Sequence, residues 1–126
     1  MNEQDYLLGI DVGSTTVKVA IMDQVGESLY SEYRRHFARI QETLAEVLRR
    51  ASEKLGSVPV LPAITGSGGM ALAQAMKIPF VQEVIAVSES LDRRYPQTDV
   101  AIELGGEDAK ILYLTGGRDQ RMNGIC

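Results

Sequence analysis

Hydrophobic positions follow two periods along this chain. Residues 6–10 are a short apolar run rich in strand formers, the pattern of a central buried strand. Val17, Val19 and Ile21 then alternate with Lys18, Ala20 and Met22, so a second strand turns one face to the core. Asp23-Gln24-Val25-Gly26 makes a turn into residues 28–34, where Leu29 and Tyr33 suggest a more exposed third strand of an antiparallel meander. The period then changes. Ile40, Leu44, Val47, Leu48, Ala51 and Leu55 recur at helical spacing with Glu and Arg between them, predicting an amphipathic helix over 38–55 that Gly56 ends. Residues 58–65 form an apolar run after that helix, as expected of a crossover to a parallel strand. Helix formers occupy 70–76, Phe80 and Val81 are a short apolar link, and 84–95 reads as a second crossover helix. Val84, Val87 and Leu91 share one face of it, and Pro96 stops it.

The opening pattern then returns. Ile10-Asp11-Val12-Gly13-Ser14-Thr15-Thr16-Val17-Lys18 and Ile102-Glu103-Leu104-Gly105-Gly106-Glu107-Asp108-Ala109-Lys110 each run an apolar strand into a carboxylate, then an apolar residue and a glycine, with Lys at the same offset. Each copy reads as two strands joined by a tight turn with the acid at the strand tip. Residues 98–104 and 109–114 thus repeat the first two strands, Gly116-Gly117 supplies the next turn, and 120–125 falls where the third strand belongs. The order strand, strand, strand, helix, strand, helix, strand predicts an α/β protein with a ribonuclease H-like lobe over 1–96. The start of a second, truncated lobe follows over 97–126.

The doubled hairpin suggests a chemistry. Backbone amides in such turns converge on anions, and glycine lets a phosphate approach the main chain. Two facing hairpins would hold a polyphosphate between them, while Asp11 and Glu103 hold a hydrated divalent metal. Lys18 is either a phosphate contact or a solvated strand residue. Thr65-Gly66-Ser67-Gly68-Gly69, at a strand end and before a helix, fits an anion site and a plain flexible connection equally well. His36 lies among Arg34, Arg35 and Arg39 and reads as part of a solvated basic face.

Composition narrows the partners. With 44% apolar and 24% charged residues, the chain has the make-up of a soluble globular domain, and its net charge of −4 argues against nucleic acid or an anionic membrane as the main ligand. No apolar run is long enough to span a bilayer, so a cytoplasmic location is expected. The single cysteine, Cys126, excludes an internal disulfide framework and by itself reads as a packing residue.

Asp11-Val-Gly-Ser-Thr-Thr-x-Lys18 resembles the first phosphate motif of the actin, hexokinase and heat-shock chaperone ATPase superfamily, and the segment from Glu103 to Lys110 resembles its second. Gly105-Gly106-Glu107-Asp108-Ala109-Lys110, Gln120 through Cys126, Thr65-Gly66-Ser67-Gly68 and Pro79 through Val84 are similar to the ATP-dependent activators of 2-hydroxyacyl-CoA dehydratases and the related benzoyl-CoA reductase subunits. The likeness extends over nearly the whole chain and is nearest to the N-terminal end of long, multidomain activase-like members. Short members begin the second motif with Asp and carry Gln after the glycine pair, where this chain has Glu103 and Glu107.

That resemblance implies an ATPase in which Ser14, Thr15 and Thr16 with Gly13 hold ATP or ADP from one side and Gly105 and Gly106 from the other. Asp11 and Glu103 would hold Mg2+-bound water. It implies a homodimer sharing a [4Fe-4S] cluster, with Cys126 matching the first of two cysteines from each protomer, and one low-potential electron passed to a dehydratase or CoA-ester reductase partner. This chain alone is expected to bind ATP weakly and to lack the cluster. A sugar-type kinase and a non-enzymatic nucleotide-dependent module are the alternative expectations.

Overall fold

The computed structural model describes residues 5–105, 109–115 and 119–125. In chain order the elements are β1 (Tyr6–Val12), β2 (Thr16–Met22), β3 (Ser28–Arg35), α1 (Ile40–Leu55), β4 (Val60–Thr65), α2 (Met70–Met76), α3 (Glu83–Arg94), β5 (Val100–Leu104), β6 (Ala109–Thr115) and β7 (Asp119–Ile125). They fall into two compact units, one ending at Phe80 and one beginning at Val81. The expected turn at Gly116-Gly117 lies outside the described residues. Among the described residues no helix is long and apolar enough to cross a membrane.

In the first unit the sheet order is β3-β2-β1-β4, with β1 antiparallel to β2 and parallel to β4. An apolar strand paired on both edges leaves no unsatisfied backbone in the core, which is why residues 6–12 occupy this central place. Leu8, Ile10 and Val12 of β1 and Val17, Val19 and Ile21 of β2 share one buried face, and α1 lays Leu44, Val47 and Ala51 into the same core. Each large apolar side chain, fully buried, contributes on the order of 1.5–3 kcal/mol. Helix α1 starts later than its periodicity suggests, because Phe37 and Ala38 both take left-handed backbone, with φ of 48° and 63°. Its end at Gly56, φ 79°, agrees with the residue pattern.

The edge strand β3 is tied to α1 by charge. The Glu32 carboxylate accepts from Arg50 at 2.7 and 3.0 Å, from the Tyr30 hydroxyl at 2.5 Å and from Arg34 at 2.7 Å. The hydrogen bonds from Arg50 lead the causes that hold its pKa down to about 2 from an ordinary 4.5, against a smaller opposing effect of burial. A depressed carboxylate stabilises the fold fully above its unfolded pKa and loses that effect as pH falls through the folded value. Glu32→Gln should therefore lower the unfolding free energy at pH 7 by about 2 kcal/mol, and the gap to wild type should close between about pH 5 and 2. Urea titrations at the two ends of that window measure it; a gap that persists undiminished at the acid end would reject this account.

The second unit contains α3 and a sheet of order β5-β6-β7, both pairings antiparallel. Helix α3 ends at Arg94, since the residue before Pro96 is disfavoured in the helical region. The duplication holds in register: Asp11 pairs with Lys18 across the first hairpin, and Glu103 with Lys110 across the second.

Candidate functional site

The carboxyl ends of the parallel strands β1 and β4 lie side by side in the first unit, with Asp11 in register with Thr65. Such ends are where open α/β sheets gather ligand-binding loops. Three segments meet there: the β1–β2 turn at 13–16, the loop 66–69 after β4, and the connection 36–39 between β3 and α1.

The β1–β2 turn is anchored by the Gly13 amide, which donates to the Thr16 carbonyl at 2.8 Å. The Ser14 and Thr15 amides donate to no protein acceptor among the described residues. Free amides in a turn are the donors that an anion needs. Asp11 stands beside them at the strand tip, its side chain 39% exposed and its Oδ2 3.7 Å from the Lys18 Nζ. Lys18 also lies over the Tyr33 ring, 5.6 Å from its centre. An ion pair so open to solvent adds at most about 1 kcal/mol, so Asp11 is not there for stability.

The loop after β4 packs closely on the β1–β2 turn. Its Gly68 amide donates to the Val12 carbonyl at 2.8 Å and its Gly69 amide to Gly66 at 3.0 Å. Gly66 has φ of 102°, and a Cβ there would lie 2.2 Å from the Val12 oxygen and 2.6 Å from Asp11 Oδ1. Gly69 is pinned nearly as closely: a methyl group on it would stand 2.7 Å from both Ile64 Cγ2 and the Thr65 oxygen. The loop is thus a wall packed on the Asp11 side of the turn, and only glycine permits that approach. The Thr65 hydroxyl is buried without a hydrogen-bond partner among the described residues.

His36 corrects the expectation of a solvated basic residue: it is only 6% exposed. Its Nδ1 accepts from the Ala38 amide at 3.0 Å, which leaves the proton on Nε2, donated to the Gly13 carbonyl at 3.0 Å. Its own amide donates to the Thr15 carbonyl at 3.0 Å. The neighbouring arginines remain exposed, and Arg35 lies over the exposed Phe37 ring, 5.1 Å from its centre. Nothing in the local pattern distinguishes the one inward residue, because its partners come from a turn more than twenty positions earlier.

The second hairpin has the same register but different surroundings. Lys110 donates to Glu83 of α3 at 2.5 Å, with both side chains largely buried. Its cross-strand partner Glu103 leaves Oε2 buried with no hydrogen-bond partner among the described residues. An orphaned carboxylate oxygen is what a metal-bound water or cation would satisfy, and the exposed carboxylate of Asp11 is an oxygen donor of the kind Mg2+ takes. Asp11 and Glu103 belong to different units. Gly105 closes the end of β5; Gly106, Glu107 and Cys126 lie outside the described residues. Among the described residues no three His, Cys, Asp or Glu side chains form a metal-binding group.

No family model matches the chain. An uncharacterized protein of Methanocaldococcus jannaschii is 30% identical over 108 residues, which is 86% of this chain and 43% of that protein. The activator of the 2-hydroxyisocaproyl-CoA dehydratase from Clostridium difficile, solved with bound ADPNP, superposes with a TM-score of 0.76 at 26% identity, over 96% of this chain and 46% of its own. Component A of the (R)-2-hydroxyglutaryl-CoA dehydratase of Acidaminococcus fermentans gives 0.74 at 24% identity, over 97% and 48%. The fold is that of the actin-like ATPases. This chain spans a little under half the length of these relatives. The hairpin 11–18 and its wall 65–69 occupy one unit, and the repeated hairpin 103–110 the other.

Proposed function

We propose that this chain is the nucleotide-binding part of an ATP-hydrolysing activator that drives low-potential electron transfer to a 2-hydroxyacyl-CoA dehydratase or a related CoA-ester reductase. The observation that carries the nucleotide reading is the pair of free amides at Ser14 and Thr15 beside the open carboxylate of Asp11. In this reading Gly13, Ser14, Thr15 and Thr16 receive phosphate oxygens of ATP, and Lys18 balances the carboxylate. Asp11 and Glu103 hold water on a bound Mg2+, which offsets the phosphate charge. Gly105, Gly106 and Glu107 are assigned the matching role toward the same nucleotide. Residues 1–96 form the first lobe in this scheme and 97–126 open the second. The likeness to a dehydratase activator at 26% identity supports the choice among ATP-dependent activities.

A [4Fe-4S] cluster needs four ligands, and the chain has one cysteine. The resemblance to the activators is what supports assigning Cys126 as one thiolate of such a cluster, shared in a homodimer, with the other ligands supplied by further cysteines. Two measurements test the scheme. Titration of this chain with MgATP should give weak, Mg2+-dependent binding, and anaerobic iron and sulfide analysis of the protein that carries it should find one cluster per dimer. Absence of Mg2+-dependent binding would reject the nucleotide site; iron-free protein that still hydrolyses ATP would reject the activator and leave an ordinary ATPase.

A further inference from the structure

We propose that His36 is a positioning residue that sets the orientation of the phosphate-binding amides; this rests on the nucleotide reading above. His36 is buried, outside the hairpin motif, and bonded to it twice. Its Nε2–H holds the Gly13 carbonyl and its backbone amide holds the Thr15 carbonyl. In a trans peptide the N–H points opposite to the C=O. Tying the Gly13 carbonyl to the ring therefore turns the Ser14 amide away from His36. Tying the Thr15 carbonyl fixes the Thr15–Thr16 peptide plane as well, so the Thr15 amide, in the plane between, is bracketed by two anchored ones.

The backbone that presents the ring is strained for this purpose. Phe37 and Ala38 are consecutive non-glycine residues at positive φ, a conformation in which Cβ crowds the following carbonyl oxygen. Burial does not explain it, since the Phe37 ring is 74% exposed. What the left-handed pair achieves is the bond from the Ala38 amide to Nδ1, which forces the Nε2–H tautomer and so makes the ring a donor to Gly13. A turn whose peptides were free to rotate would have to order its amides at the moment of binding. His36 orders them beforehand, which raises affinity without touching the ligand.

Amide NMR of this chain and two variants decides the matter. His36→Asn keeps an acceptor near Nδ1 but is too short to reach Gly13; His36→Gln can place a donor near the Nε2 position. The expected result is that H36N shifts the Ser14 and Thr15 amide resonances and weakens MgATP binding at least about tenfold. H36Q should stay within about threefold of wild type. Wild-type affinity in H36N, or unmoved Ser14 and Thr15 amides, overturns the proposal. Should H36N fail to fold, the imidazole 15N spectrum of wild type is decisive: a proton on Nε2 is expected, and a proton on Nδ1 overturns it. If wild type shows no MgATP binding, the nucleotide reading fails by itself, while the amide shifts and tautomer still decide whether His36 orients the turn.

Discussion

Asp11→Ala should reduce MgATP hydrolysis by the protein that carries this chain at least about a hundredfold, the scale on which removal of a charged group that organises metal and water acts. The same change should leave the melting temperature within a few degrees of wild type. That combination follows from exposure: the Asp11 side chain is 39% exposed and its partner Lys18 52%, so their attraction adds little to the fold. A buried structural carboxylate would do the reverse and destabilise on removal. Phosphate release and thermal unfolding measured on one preparation separate the two. Unchanged turnover removes Asp11 from the site, and a collapse of stability with turnover would make its role structural. On the proposed assignment iron content should not change, because an aspartate oxygen suits a hard cation and would not be among the thiolates of a cluster.

Gly66→Ala should be the most damaging small substitution in the first unit, lowering stability by about 2–4 kcal/mol. A methyl group there would stand 2.2 Å from the Val12 oxygen, a backbone atom of the central strand that cannot swing aside. It would also stand 2.6 Å from Asp11 Oδ1, so relief of the clash has to displace the carboxylate or the loop. The left-handed backbone at φ 102° adds its own penalty for any side chain. Urea unfolding measures the stability loss, and MgATP titration of the folded fraction should show weakened binding as Asp11 moves. Gly26→Ala is the control: it too has positive φ, but a methyl there meets nothing, so it should cost only about 1 kcal/mol. Equal effects of the two substitutions would refute the steric account of Gly66.

The two hairpins illustrate what repetition preserves. Both keep the acid and lysine opposite one another across a β-ladder, since register is set by the alternation and the turn. The ion pairing is not kept. Lys18 approaches Asp11, whereas Lys110 donates to Glu83 on α3, and Glu103 Oε2 is left buried and unpartnered among the described residues. A shared motif therefore carries two electrostatic environments. Glu103, where the resemblance to short activators would place Asp, belongs to the second of them.

The strand order, the antiparallel meander and the repeated hairpin are readable from residue patterns, because alternation and turn signals act between near neighbours in the chain. The expected order has one helix after β4 where the structure has both α2 and α3, and the pairing of β4 with β1 joins residues as remote as Val60 and Tyr6. Alternation selects which face of β2 is buried, spacing selects which face of α1, and acid-apolar-glycine marks the turns. Three features depend on tertiary contacts. Phe37 and Ala38 delay α1 by adopting left-handed backbone, which no propensity favours and which accompanies the seating of the His36 ring against Gly13. His36 is buried among exposed arginines because its partners, Gly13 and Thr15, arrive from another strand pair. Gly66 and Gly69 are required not by a local turn alone but by the atoms of Val12, Asp11, Ile64 and Thr65 pressed against them. The one-dimensional pattern determined the scaffold and its two hairpins; the packing of distant segments determined which carbonyls of the first turn are anchored and what anchors them, since a close contact between remote residues leaves no periodic trace in either one.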